Sequence, residues 1–298
     1  MRKSRWLIVL LVAASLAGGL TFAQRRYYGD RAGVPKWEPD REFSKDVFTF
    51  VRIRFSDGYG GGGYYGGGRP SRGSRFGGRR SRGDRGWGGG GRGGKWATDY
   101  PDSDLNFSYR LQQLTSMEVD PNGLVLELTD DRLFDYPFIY IVEPGDLVFS
   151  EEEIKALRKY LLNGGFLMVD DFWGEDEWYN FYDQIKLVFP DREPIPLDYE
   201  HRIFHYPFEL KERPQIPSIG HALGGRSYGV TWERHDAREV HYQGLYDDKG
   251  RIMAIICHNT DLGDGWEREG ENEWYFHQFS EKSAYPLGIN IVFYAMTH

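Results

Sequence analysis

The sequence predicts an α/β fold, a mostly parallel sheet with helices on both faces. Two near-continuous apolar runs, Pro137 to Val142 and Phe166 to Asp170, have the length and make-up of strands covered on both sides. Helical periodicity lies between and after them, so strands alternate with helices. The 203 residues from 96 onward are ample for one such core. With a single cysteine, Cys257, the chain has no intramolecular disulfide framework and no multi-cysteine metal site.

The chain opens with a positive stretch, Arg2, Lys3 and Arg5, followed by an apolar run from Trp6 to Leu20 and small residues at Thr21 and Ala23. That is the plan of a secretory signal peptide cut before Gln24, and it predicts an exported, periplasmic or secreted protein. An uncleaved signal would instead anchor the chain in the membrane, although the run would barely span ~30 Å of hydrocarbon.

Asp46 to Phe55 alternates Val47, Thr49, Val51, Ile53 and Phe55 with Phe48, Phe50, Arg52 and Arg54, the period of a strand. The N-terminal segment with this first strand runs over residues 24–57. Residues 58–95 then hold 19 glycines and eight arginines and almost no aliphatic side chain. Such a composition cannot bury enough apolar surface to order itself, so a disordered Gly/Arg-rich tether is expected. With Tyr64, Tyr65, Phe76 and Trp87 it has the make-up of an RNA-binding Arg-Gly segment. Export favours a polyanion of the envelope over RNA, and an expanded surface loop is the plainer reading.

Residues 96–298 form the α/β domain. Asp104 is placed to cap a helix running to Thr115, with Phe107, Leu111 and Leu114 on one face. Leu124 to Leu128 is a short strand. Ser150 and Glu153 make a capping box for a helix carrying Ile154, Leu157, Leu161 and Leu162, which Asn163-Gly164-Gly165 ends. Glu175 to Phe189 is a helix stopped by Pro190. Val240 to Tyr246 and Arg251 to Cys257 form a strand pair, and Leu287, Ile291, Tyr294 and Ala295 mark a final amphipathic helix.

Charge separates these parts. Residues 58–95 carry nine basic and one acidic side chain, and residues 96–298 carry 17 basic and 38 acidic. A nucleic-acid-binding folded domain is excluded on that balance, because phosphate contacts need a basic face.

Several motifs carry a family resemblance: Thr98 to Asn106 with Arg110-Leu111, Tyr136 to Tyr140, Asn163 to Leu167, Asp170 to Gly174 and Cys257 to Glu267. The chain from about residue 46 onward resembles the bacterial domain-of-unknown-function 4159 family, with the glycine tether as the departure. The resemblance implies a flavodoxin-like, class I glutamine amidotransferase-like sheet and no settled activity. In such amidotransferases a nucleophilic cysteine follows the strand equivalent to 166–170. Here that turn reads Asp170-Asp171-Phe172-Trp173-Gly174, without Cys or Ser.

Ligands of open parallel sheets bind beyond the carboxyl ends of the strands. That rule picks out Glu143, Asp170, Asp171, Phe172, His258, Asn259 and Asp261; with Trp173 beside them, Glu143, Asp170, Asp171, His258, Asn259 and Asp261 are the ligand-binding candidates. Asp170 and Asp171 could act as acid and base, or as hard-metal ligands with Asp261 and Asp264; an N-cap role is the plainer reading for one of them. Asp261-Leu262-Gly263-Asp264-Gly265 reads as a polar tight turn. Cys257 and His258 would face opposite sides of a strand, leaving Cys257 a buried structural residue. His201 and His205 lie in an extended or turn segment, with a loop histidine donating to a backbone carbonyl as the expected role. Trp173, Trp178, Trp266 and Trp274 near the carboxylates would suit a sugar cleft. No catalytic residue, metal or cofactor is identified. The favoured reading is a non-catalytic binding domain lacking the nucleophile, its partner an envelope protein or saccharide. The alternative is an envelope saccharide hydrolase using Glu143, Asp170 and Asp171.

Overall fold

The computed structural model describes residues 31, 33–40, 46–56 and 94–298. The segment 1–23, expected to be a signal peptide, and all but the last two residues of the expected tether lie outside the described residues. Those last two are placed: Lys95 opens a short 3-10 turn, Lys95–Ala97. Lys95 is paired to Asp146 at 2.8 Å and Glu143 at 3.3 Å.

Seven strands make one sheet in the order β2-β1-β3-β4-β7-β6-β5. They are β1 (Val51–Ile53), β2 (Leu124–Leu126), β3 (Phe138–Val142), β4 (Phe166–Asp170), β5 (Ile195–Pro196), β6 (His241–Tyr246) and β7 (Ile252–His258). The pairs from β2 through β7 are parallel, while β6 and β5 are added antiparallel at one edge. The parallel part is flavodoxin-like, with its switch point between β1 and β3. The predicted pair at 240–257 is a hairpin between β6 and β7.

Helices cover both faces. One face packs Phe50, Tyr140, Met168 and Cys257 against α1 (Asp102–Leu114) and the C-terminal helix, Tyr285–Thr297. The other packs Ile53, Ile141, Val169 and Ile256 against α2 (Glu151–Leu162) and α3 (Gly174–Val188). Period-two alternation thus divides β3 and β4 between two apolar cores, and both strands are buried along their whole length.

The capping box forms as predicted: Ser150 Oγ accepts from Glu153 N at 3.2 Å, and Glu153 Oε2 accepts from Ser150 N at 2.8 Å. The start of α1 differs from expectation. Pro101 holds the cap position, and Asp104 is a buried residue of the first turn. Arg52 draws it there. The side chain of this β1 residue is fully enclosed on the α1 face of the sheet. Its guanidinium donates to both Asp104 oxygens, to Ser103 Oγ at 2.9 Å, and to the carbonyls of Trp96 (3.0 Å) and Thr98 (2.9 Å).

Breaking a buried ion pair leaves an uncompensated charge and costs about 3–5 kcal/mol, against about 0–1 for an exposed pair. Urea denaturation of Arg52→Met should therefore show a loss of that larger size. Arg54→Met, which removes the exposed partner of Glu127, should shift stability by less than about 1 kcal/mol.

Candidate functional site

Four non-glycine residues among those described have left-handed backbone: Asp99 (φ 60°), Glu143 (φ 45°), Asp171 (φ 57°) and Asn259 (φ 61°). Such conformations cost about 1–3 kcal/mol each and persist only where surrounding contacts fix them. Glu143, Asp171 and Asn259 directly follow the carboxyl ends of β3, β4 and β7 or their last residues, and Asp99 lies where the chain returns after β1. The irregular backbone is therefore concentrated at the sheet edge where ligands of this topology bind.

At the switch point, Thr98 Oγ1 donates to Glu143 Oε1 at 2.9 Å, which ties the loop after β1 to the loop after β3. Next to it Asp170 ends β4 with no exposed surface. Its Oδ2 accepts from Tyr140 Oη (3.1 Å), Leu262 N (2.9 Å) and Gly263 N (3.1 Å). Burial pushes its carboxyl up to about 7, with these hydrogen bonds pulling the other way. Asp170 thus caps the short helix Leu262–Glu267, not the helix that follows it in sequence. Asp261 caps the same helix, its Oδ1 accepting from Asp264 N at 2.7 Å. The segment expected to be a polar tight turn is therefore a buried helical turn, held by two carboxylates on its N–H groups.

Asp171 turns away from its neighbour. Its Oδ1 accepts from Trp173 Nε1 at 3.1 Å, and its oxygens lie with those of Asp99 and Asp261 in a group whose members come within 4.8 Å of one another. Burial, and then the surrounding carboxylates, hold all three well above the usual range. A second group joins Asp99 to Asp264 and Glu267. There Arg268 pairs with Asp264 at 3.4 Å and also with Glu267. The nearby lysine, Lys95, is committed to Glu143 and Asp146.

Asp171 and Asp261 are thus brought together, with Trp173 supporting one of them. Glu143 and Asp170 border the group but are engaged elsewhere. Asn259 is a latch between loops: its Oδ1 accepts from Gly174 N at 2.8 Å and its Nδ2 donates to Glu239 O at 2.7 Å. His258 faces away, its ring against Phe172 and Trp178 and its Nε2 3.0 Å from Gly174 O. Cys257 is buried on the opposite face, and burial raises its thiol well above the ordinary value. Their side chains do not meet, as strand geometry requires.

The four tryptophans do not line one cleft. Trp266 is in the core against Phe107, Trp274 packs on Phe279 and beneath Arg226, Trp178 stacks on Phe172, and only Trp173 contacts the carboxylate group. His205 sits in a turn with Nε2 2.7 Å from Tyr199 O.

Sequence reasoning missed Asp99, although it stands in the motif Thr98 to Asn106. It also missed a cleft of about 410 Å³ beside β6, lined by Arg213, Gln215, Arg238, Glu239, Val240 and His241. His241 pairs across the sheet with His258, and Gln215 Nε2 donates to Asn259 O at 3.0 Å. The cleft therefore adjoins the same end of β7. No sequence periodicity groups these residues, because the segment 190–240 is mostly loop.

Residues 88–296 match the sequence model of a family described as Domain of unknown function (DUF4159), and the chain belongs to that family. The matched stretch starts at residue 88 and not near residue 46, so β1 lies outside it. No curated protein matches the chain.

The packing of His258 predicts a pH effect. Burial, with His241 nearby, lowers its imidazole to about 4 from an ordinary 6.5. The unfolded chain then takes up a proton before the native one does, so stability is complete above pH 6.5 and is lost as pH falls through about 4. Denaturant curves at pH 7 and pH 4 should show the advantage of the wild type over His258→Gln falling by roughly 3 kcal/mol. A pH-independent difference would contradict the neutral, buried ring.

Proposed function

We propose that the protein is a non-catalytic binding domain of the cell envelope, taking a ligand of cationic character in the crevice between Asp99, Asp171 and Asp261. The carrying observation is that three carboxylates from three separate loops converge within 4.8 Å, while the neighbouring cations are committed to other acids. Crowded like charges oppose folding, so the arrangement favours a partner that brings positive charge. Export and the envelope partner, a protein or a saccharide, rest on the N-terminal sequence pattern.

Binding has more support than turnover. The turn 170–174 holds no Cys or Ser, and Cys257 is buried without a base. The saccharide-hydrolase alternative drew on Glu143, Asp170 and Asp171. Asp170 is occupied by backbone N–H groups and Glu143 by Thr98 and Lys95, which leaves Asp171 without its intended pair.

Native mass spectrometry of the protein recovered from its own envelope, beside the denatured mass, tests this reading. The wild type should carry a non-covalent mass that Asp171→Asn lacks, and the denatured chain should begin at Gln24. Asparagine suits this left-handed position, so the variant should fold. A wild type that carries nothing beyond polypeptide, or a saccharide turnover abolished by the same substitution, would overturn the reading.

A further inference from the structure

We propose that Asp99, Asp171 and Asp261 are the protein ligands of one hard divalent cation of calcium size. The inference rests on the reading of this crevice as a ligand site and names the ligand's chemistry.

The donor set is all oxygen. The nearby sulfur and imidazole groups, Cys257 and His258, belong to other packing environments. Oxygen-only sites suit calcium, magnesium or manganese and not zinc or copper. Tolerance of irregular geometry then separates the hard ions. Three oxygens no more than 4.8 Å apart share a centre at most about 2.8 Å from each. Calcium–oxygen bonds are about 2.3–2.6 Å and tolerate irregular geometry, whereas magnesium needs about 2.0–2.1 Å and a near-ideal octahedron. Three carboxylates on three loop positions, two of them left-handed, offer no preset octahedron, which suits the tolerant calcium ion better than magnesium.

The second, independent observation is a set of unanswered buried oxygens. The Asp99 carboxyl has no hydrogen-bond donor among the described residues, and its Oδ2 is sealed from solvent. Asp170, wholly buried beside Asp171, also has an unpartnered oxygen, Oδ1. A buried acceptor without a donor costs about 1–3 kcal/mol, and more when charged. A cation among the three carboxylates answers the Asp99 oxygen directly.

The remaining features fit a ligating role. Asp171 and Asp261 each have one oxygen held by a donor, Trp173 Nε1 and Asp264 N, which fixes the orientation of the carboxyl. Such outer contacts are how metal ligands are aimed. Gly263 keeps the space open: a Cβ there would lie 2.8 Å from Asp99 Oδ2 and 3.4 Å from Asp261 Oδ1. The second carboxylate group, Asp99 with Asp264 and Glu267, is the poorer choice because Arg268 already supplies its positive charge.

The test is titration of the chelator-stripped full chain with calcium, magnesium and manganese, each alone, by calorimetry. Terbium luminescence excited through tryptophan is the second readout. One calcium should bind per chain, about tenfold or more tighter than magnesium. Asp99→Asn should weaken it by roughly a hundredfold while the stripped variant keeps its circular dichroism, because that carboxyl makes no hydrogen bond among the described residues. Gly263→Ala should weaken binding with every carboxylate in place. Trp173→Phe should dim the terbium signal. No saturable calcium binding, or binding that neither Asp99→Asn nor Asp171→Asn alters, overturns the proposal. If a native organic adduct is lost in Asp171→Asn while calcium fails to bind, the cation is wrong and the crevice reading survives. If neither is seen, both fall.

Discussion

The guanidinium of Arg52 is the constraint on which the candidate site depends. It lies inside the domain without solvent contact, where an unpaired charge would be prohibitive. Every N–H it directs is answered, by Asp104, Ser103 and the carbonyls of Trp96 and Thr98. Its flat face lies 5.0 Å from the centre of the Tyr140 ring. Tyr140 in turn donates to Asp170, and Asp170 receives the N–H groups of Leu262 and Gly263. A polar spine therefore runs from the start of α1, through β1, β3 and β4, to the helical turn after β7. It fixes the strand-end loops relative to one another, and Asp99, Asp171 and Asp261 are carried on those loops.

The same region concentrates the departures from easy folding. Left-handed aspartates and asparagine, carboxylates pushed above their ordinary range and buried oxygens without donors all occur at one edge of the sheet. Elsewhere β3 and β4 alternate between two apolar cores, and α2 carries a complete capping box. A marginally stable domain tolerates such crowding only where other contacts over-determine it. The Arg52 spine and the Asn259 latch are those contacts.

Most of the fold was legible because it is written locally. Strand β4, the hairpin of β6 and β7, and α2 follow from apolar period and capping residues within a dozen positions. What escaped depends on distant partners. Arg52 alternates in a strand pattern like any surface residue, and only Asp104, 52 positions later, reveals that it is buried. Asp104 has the near neighbours of a cap residue, and the sequence around it holds nothing of Arg52. Gly263 and Gly265 gave the segment 261–265 the look of a turn, yet carboxylates at 170 and 261 make it helical. In the site itself, Asp170, Asp171 and Asp261 stood out as charges after apolar runs. Asp99 did not, because no strand precedes it; its loop is delivered by α1 and Arg52.

The position of the Gly/Arg-rich stretch follows from the same architecture. Before it, Ser56 O accepts from Val148 N at 3.2 Å; after it, Lys95 pairs with Asp146 at 2.8 Å. Both junctions are therefore fastened to the segment just beyond β3. Lengthening a loop between fixed ends costs only about 0.6 kcal/mol per doubling, so the sheet places little limit on what lies between residues 56 and 95. The limit falls on the return. Residues 95–99 must arrive in register, since Lys95 neutralises Glu143, Thr98 ties to it, and Asp99 completes the carboxylate group. The fold can accept a foreign composition beside the candidate site because five residues, and not the whole connection, carry the geometry of the site.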